Sequence, residues 1–150
     1  MAYCRQRKTA AEAEIKSLTA WSESRFMWPL VRYHACNVLD PGDSVWNSGK
    51  FAPTSIRVKL TDGPLHVTRV ELQAEMNPAR AIVHHEIRAG ISPGTMRVVG
   101  CIKGFVSHGA WIRVAVNDDV QFLEIATVES PSFVAWKRIR VFGKSCQSEK

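Results

Sequence analysis

The chain has 150 residues, 45% hydrophobic and 23% charged, which is the balance of one globular domain able to bury a sizeable core. No apolar run reaches the length of a membrane span, and Met1 to Lys8 has no apolar signal core, so the sequence predicts a cytoplasmic protein. The net charge of +6 and pI of 9.4 are spread thinly outside Arg5–Lys8 and Lys137–Arg140, which argues for solubility rather than a nucleic-acid surface.

Thr9-Ala10-Ala11-Glu12 has the form of a helix capping box, and Ile15, Leu18, Trp21 and Phe26 follow at helical spacing. The pattern predicts a short N-terminal α-helix over about Ala10 to Arg25, ending before Pro29. Such a helix is marginal alone and must dock on its own domain, on a partner, or on a second copy as a homo-oligomer element. The four cysteines, Cys4, Cys36, Cys101 and Cys146, lack paired metal-ligand spacing and are expected to be reduced thiols.

Between Asn37 and Pro53 the sequence turns. Asp40-Pro41-Gly42-Asp43 and Asn47-Ser48-Gly49 carry turn chemistry on either side of Trp46. A carboxylate-rich loop pinned by one tryptophan fits either a cation site or a loop that closes a β-sandwich.

After Pro53 the apolar period becomes two. Ile56, Val58 and Leu60 alternate with Arg57 and Lys59, and the same holds around Val70, Val114 and Val141. Runs at Ala81–Arg88, Met96–Lys103 and Val120–Val128 add further strand candidates. Turn signals such as Asp62-Gly63-Pro64, Asn77-Pro78 and Ser130-Pro131-Ser132 separate them. Seven or eight short strands without intervening helices predict an antiparallel sandwich or jelly roll.

Catalytic patterns are missing: there is no phosphate loop, no nucleophile elbow and no His-Glu-x-x-His. His84 and His85 on one strand would face opposite ways and could not share an ion. Recognition by end loops is the reading left, since loops on a rigid scaffold carry binding residues. Phe51, Trp111 and Phe133 are candidate aromatic faces for a sugar ring, with Asn77, Arg80, His85 and His108 as candidate polar groups. Trp46 and Trp136, set in apolar alternation, read as core.

Three blocks in order resemble one family, the discoidin or coagulation-factor type C (galactose-binding-like) jelly rolls, which include bacterial carbohydrate-binding modules. They are Val38-Leu39-Asp40-Pro41-Gly42-Asp43-Ser44-Val45-Trp46-Asn47-Ser48-Gly49, then His85-Glu86-Ile87-Arg88-Ala89-Gly90, then Ser130-Pro131-Ser132-Phe133-Val134-Ala135-Trp136-Lys137-Arg138-Ile139-Arg140-Val141-Phe142-Gly143. The resemblance implies an all-β, eight-stranded antiparallel jelly-roll sandwich at 35–143, with a tail and helix at 1–34 and a tail at 144–150. It implies a non-catalytic module that binds a glycan, galactose-like, through loops at one end, with Asn77, Arg80, His85 and Phe133 as ligand residues. The alternative is an intracellular protein-interaction or assembly module, with weak polyanion binding as a third reading. Family members are often extracellular.

The family also implies a structural calcium ion at the opening loop, here through Asp40, Asp43 and Ser44. This sequence departs from that pattern. The loop is one residue shorter, Ser44 stands near an expected Thr, and Arg138 occupies the position of the closing Glu. A guanidinium there could pair with Asp40 or Asp43 instead of an ion. The expectation is a metal-free clasp, with calcium as the alternative.

Overall fold

The computed structural model describes residues 11–22 and 34–144. Ten strands form two antiparallel sheets. In chain order they are β1 (Glu12–Ile15), β2 (Leu18–Trp21), β3 (Trp46–Asn47), β4 (Thr54–Leu60), β5 (Leu65–Ala74), β6 (Arg80–Gly90), β7 (Arg97–Ser107), β8 (Trp111–Val120), β9 (Phe122–Glu129) and β10 (Ala135–Lys144). One sheet runs β1-β10-β5-β8 with β3 also on β10, and the other runs β2-β4-β9-β6-β7. A 3-10 turn at Ala35–Leu39 leads into β3.

The two-residue period does what it predicts. Ile56, Val58 and Leu60 of β4, Val70 and Leu72 of β5, and Ile139 and Val141 of β10 point inward and are essentially inaccessible. They pack with Val38, Trp46, Ile87, Leu123, Ile125 and Trp136 into one core between the sheets. Burial of such side chains stabilises by about 1.5–3 kcal/mol each.

The expected helix over Ala10–Arg25 is not formed. Its described part is the two strands β1 and β2, and Glu23–Arg25 lie outside the described residues. β1 pairs with β10 (Ile15 opposite Val141) and β2 pairs with β4 (Leu18 opposite Leu60), so consecutive strands extend different sheets. Tertiary context overrides the local helical spacing here: β10 and β4 each offer a free edge of backbone donors and acceptors that an isolated short helix cannot match. Ile15 and Leu18 still meet the core, which is why the two patterns look alike in sequence. The sandwich therefore carries ten strands rather than eight.

Paired charges cover part of each outer face. Glu71 is buried and meets Arg69 Nε at 3.0 Å, Arg113 Nε at 3.4 Å and Arg140 Nη1 at 3.6 Å. Arg140 also grips Glu14 with two nitrogens at 3.0 and 3.2 Å, and Arg69 pairs with Glu12, so β1 is held by two arginines of the sheet it joins. On the other sheet Glu124 is buried against Arg57 Nε at 2.9 Å and Arg88 Nη1 at 3.3 Å. Buried carboxylates need such partners to offset desolvation.

Gly143 sits at a register shift of β10 against β5, and a Cβ there would lie 2.5 Å from His66 O and 2.9 Å from Ile15 Cδ1. The carbonyl is backbone and cannot swing away. Gly143→Ala is therefore expected to cost about 2 kcal/mol or more in chemical denaturation. Gly94→Ala, where the added methyl meets nothing, should change stability by about 0.5 kcal/mol or less.

Candidate functional site

Four loops meet at one end of the sandwich: 48–53, 75–79, 108–110 and 130–134. The strand pairings put them there, because β4, β6, β8 and β10 begin where β5, β7 and β9 end. Backbone hydrogen bonds tie them together. Ser48 N donates to Val134 O at 2.9 Å and Val134 N to Lys50 O at 2.8 Å, while His108 N reaches Ala79 O at 2.6 Å. His108 Nδ1 accepts from Met76 N at 3.1 Å, which leaves the proton on Nε2, facing Glu75 Oε1 at 3.9 Å. This end is therefore rigid, with its loops stapled by their own main chain.

Asn77, Arg80 and Phe133 are exposed on this end. Asn77 N approaches Ser132 Oγ at 3.5 Å, which sets the β5–β6 loop against the loop carrying Phe133. Phe133 packs edge to face on Phe51, centroids 4.9 Å apart, and both rings stay open to solvent, Phe51 at 63%. Edge-to-face pairing holds each ring in one attitude. The Arg80 guanidinium lies over the Phe105 ring at 4.4 Å, so its side chain is held rather than waving.

His85 is placed differently. It points inward from β6 and is only 7% exposed, with its ring 4.7 Å from that of Trp136 and Nδ1 2.8 Å from Thr127 Oγ1. Burial, helped by the neighbouring His84, lowers its pKa to about 4, so the ring is neutral at physiological pH. It lines a cleft of about 10 Å³ with Glu75, Thr127, Ser130 and Trp136, about the least volume that holds one water. Trp136 Nε1, buried beside this cleft, has no hydrogen-bond partner among the described residues. Thr127 is a polar group that strand alternation could not single out, since its role depends on cross-strand pairing with His85; Ser130 joins the cleft from the loop after β9.

His84 faces outward, with Nε2 3.4 Å from the exposed thiol of Cys101 and 4.0 Å from Glu86 Oε2. The two histidines thus lie on opposite faces. Trp111 begins β8 directly after the 108–110 loop, and its ring lies 5.9 Å from the Arg140 guanidinium. Cys36 and Cys101 are free thiols, and Cys4 and Cys146 lie outside the described residues.

The opening loop lies elsewhere. Asp40 Oδ1 accepts from Gly42 N at 3.0 Å, an Asx turn, and Asn37 Nδ2 donates to Val45 O at 2.9 Å. Asp40 and Asp43 are exposed and Ser44 half-buried. No ion pair joins Arg138 to Asp40 or Asp43 among the described residues. Instead Arg138 lines a cavity with Leu39 and Pro41, and its Nε is buried without a partner among the described residues. Among the described residues no three or more His, Cys, Asp or Glu side chains are gathered as a metal site, and no helix is long and apolar enough to cross a membrane.

The architecture is a two-sheet antiparallel β-sandwich. No protein-family model and no curated protein sequence matches the chain. Solved structures match it by shape. A family 32 carbohydrate-binding module from Clostridium perfringens NanJ, solved with galactose, superposes with a TM-score of 0.73 at 17% identity, covering 88% of this chain and 99% of that one. A chitosan-binding module of a chitosanase/glucanase from Paenibacillus sp. IK-5 gives 0.71 at 17% identity, covering 87% and 99%. A fucolectin from striped bass (Morone saxatilis) serum gives 0.72 at 16% identity, covering 89% of this chain and 47% of that one.

A histidine kept neutral by burial withholds a proton that the unfolded chain would bind. Stability from His85 is thus complete above pH 6.5 and is lost as pH falls through 6.5 towards 4, reaching roughly 3 kcal/mol. Denaturation of the His85→Gln variant from pH 7 to pH 4 should show an acid limb shallower than wild type by about that amount. Coincident limbs would mean that His85 is not held neutral.

Proposed function

We propose that this protein is a non-catalytic carbohydrate-binding module that takes a terminal, galactose-like sugar on the loop end. The observation that carries the reading is the exposed Phe51–Phe133 pair, with Asn77 on the loop set against that of Phe133 and Arg80 at the start of β6, its guanidinium over Phe105. A sugar presents an apolar C–H face and a rim of hydroxyls. An ordered, solvent-facing ring suits the first, and planar groups such as the Asn77 amide and Arg80 guanidinium suit the second. His85 contributes from below as a neutral imidazole oriented by Thr127. The shape likeness to modules whose structures hold galactose or whose names carry chitosan supports the same reading.

The shallow relief of this end argues against catalysis. The cleft at its base holds about 10 Å³, far below the few hundred that enclose a small-molecule substrate. Binding on such a surface is exchangeable and depends on few contacts. Phe133→Ala and Arg80→Ala should each weaken binding to an immobilised galactose-terminated glycan by about tenfold, roughly 1.4 kcal/mol, with unchanged melting temperature. A glycan array without hits for the wild type would contradict the proposal.

A second reading, a protein-interaction module, is favoured by one observation. Ile82 and Phe105, paired across β6 and β7, are more than half exposed on the outer face of the second sheet, with Val128 also exposed on β9. Outer faces of sandwiches are ordinarily polar, so an apolar cluster there suits a protein surface. Ile82→Lys leaves glycan binding intact under the first reading and abolishes partner capture under the second.

A further inference from the structure

We propose that the cavity beside the opening loop, where the family resemblance implies calcium, accepts a short aliphatic carboxylate instead. Calcium needs several oxygen ligands and surplus negative charge. The wall here carries Arg138 in place of an acid, and its Nε–H is buried with no acceptor among the described residues. A buried donor on a permanent cation is costly to leave unmade, so this position calls for an oxygen acceptor and repels a cation.

The chain's own acids do not meet that demand. Asp40 spends Oδ1 on Gly42 N. Glu14 also lines the cavity, but Arg140 holds both of its oxygens and keeps its carboxyl ionised below the usual range. With Glu14 matched by Arg140, Lys16 and Arg138 leave the wall net positive.

Size and lining define the rest of the ligand. The cavity measures about 250 Å³, well beyond the 10–15 Å³ that one water needs. Ile15, Leu18, Leu39 and Ile139 supply apolar walls. A bare inorganic anion would answer the guanidinium and leave those walls wet. A carboxylate on a short alkyl chain answers both, because the planar guanidinium matches two carboxylate oxygens and the chain covers the aliphatic side chains.

The test is a titration of the full chain with sodium hexanoate, inorganic phosphate and calcium chloride at fixed ionic strength. Melting temperature and the Arg138 Nε–H resonance in side-chain-labelled protein are the two readouts. Saturating hexanoate should raise the melting temperature by roughly 5 °C and move the Arg138 signal, whereas calcium should do neither. Arg138→Gln should weaken hexanoate at least about tenfold, and Lys16→Gln, on the exposed β1–β2 connection, should weaken it severalfold in a normally folded protein. Stabilisation by calcium, a response to phosphate without one to hexanoate, or an unmoved Arg138 resonance would each overturn the proposal. If Arg138→Gln does not fold, the Lys16→Gln affinity and the wild-type resonance decide it. The outcome is independent of glycan binding at the loop end.

Discussion

The register of β10 against β5 is the constraint on which both candidate sites depend. Trp136 pairs with Ala74 but Arg138 pairs with Gln73, so Lys137 is an extra residue in the strand. Strict alternation from an inward Trp136 would send Arg138 and Arg140 into the core and turn Ile139 and Val141 out. The bulge flips the remainder of the strand by one residue and prevents that. Trp136, Ile139 and Val141 are all buried as a result. Arg140 is then free to clamp Glu14 and Glu71 on the outer face, and Arg138 reaches the cavity beside the opening loop.

From that arrangement follow two separate chemistries. At the start of β10, Trp136 backs His85 and floors the loop end, where rigid main-chain staples hold Phe133 and Asn77 in place. Two residues further along, the chemistry reverses from neutral and aromatic to cationic and aliphatic. A sugar surface needs ordered rings and neutral donors and acceptors; an anion cavity needs a desolvated guanidinium. One strand carries residues of both proposed sites because alternation and the bulge aim its side chains in different directions.

The strands after Pro53 were legible because each is half-buried and shows the two-residue period without ambiguity, as Ile56-Arg57-Val58-Lys59-Leu60 does. Trp46 and Trp136 were legible as core for the same reason. The N-terminal segment was not. Ile15, Leu18 and Trp21 satisfy helical spacing, and only the free edges of β10 and β4, which are remote in sequence, decide for strands. Placement of the end loops could be inferred from the resemblance, but the burial of His85 could not, since its Thr127 and Trp136 partners come from β9 and β10. The Arg138 departure was visible in sequence, yet the expected pairing with Asp40 or Asp43 does not occur. Asp40 turns back on its own loop, a local contact that carboxylates in turns often prefer.

The central claim is that the loop end is a sugar surface. It is tested most directly by amide chemical-shift mapping of the folded protein titrated with a soluble galactose-terminated oligosaccharide. The account predicts saturable shifts confined to 48–53, 75–80, 108–110 and 130–134, with the Arg138 region unmoved. Shifts centred on Ile82 and Phe105, or none up to saturating sugar, would contradict it.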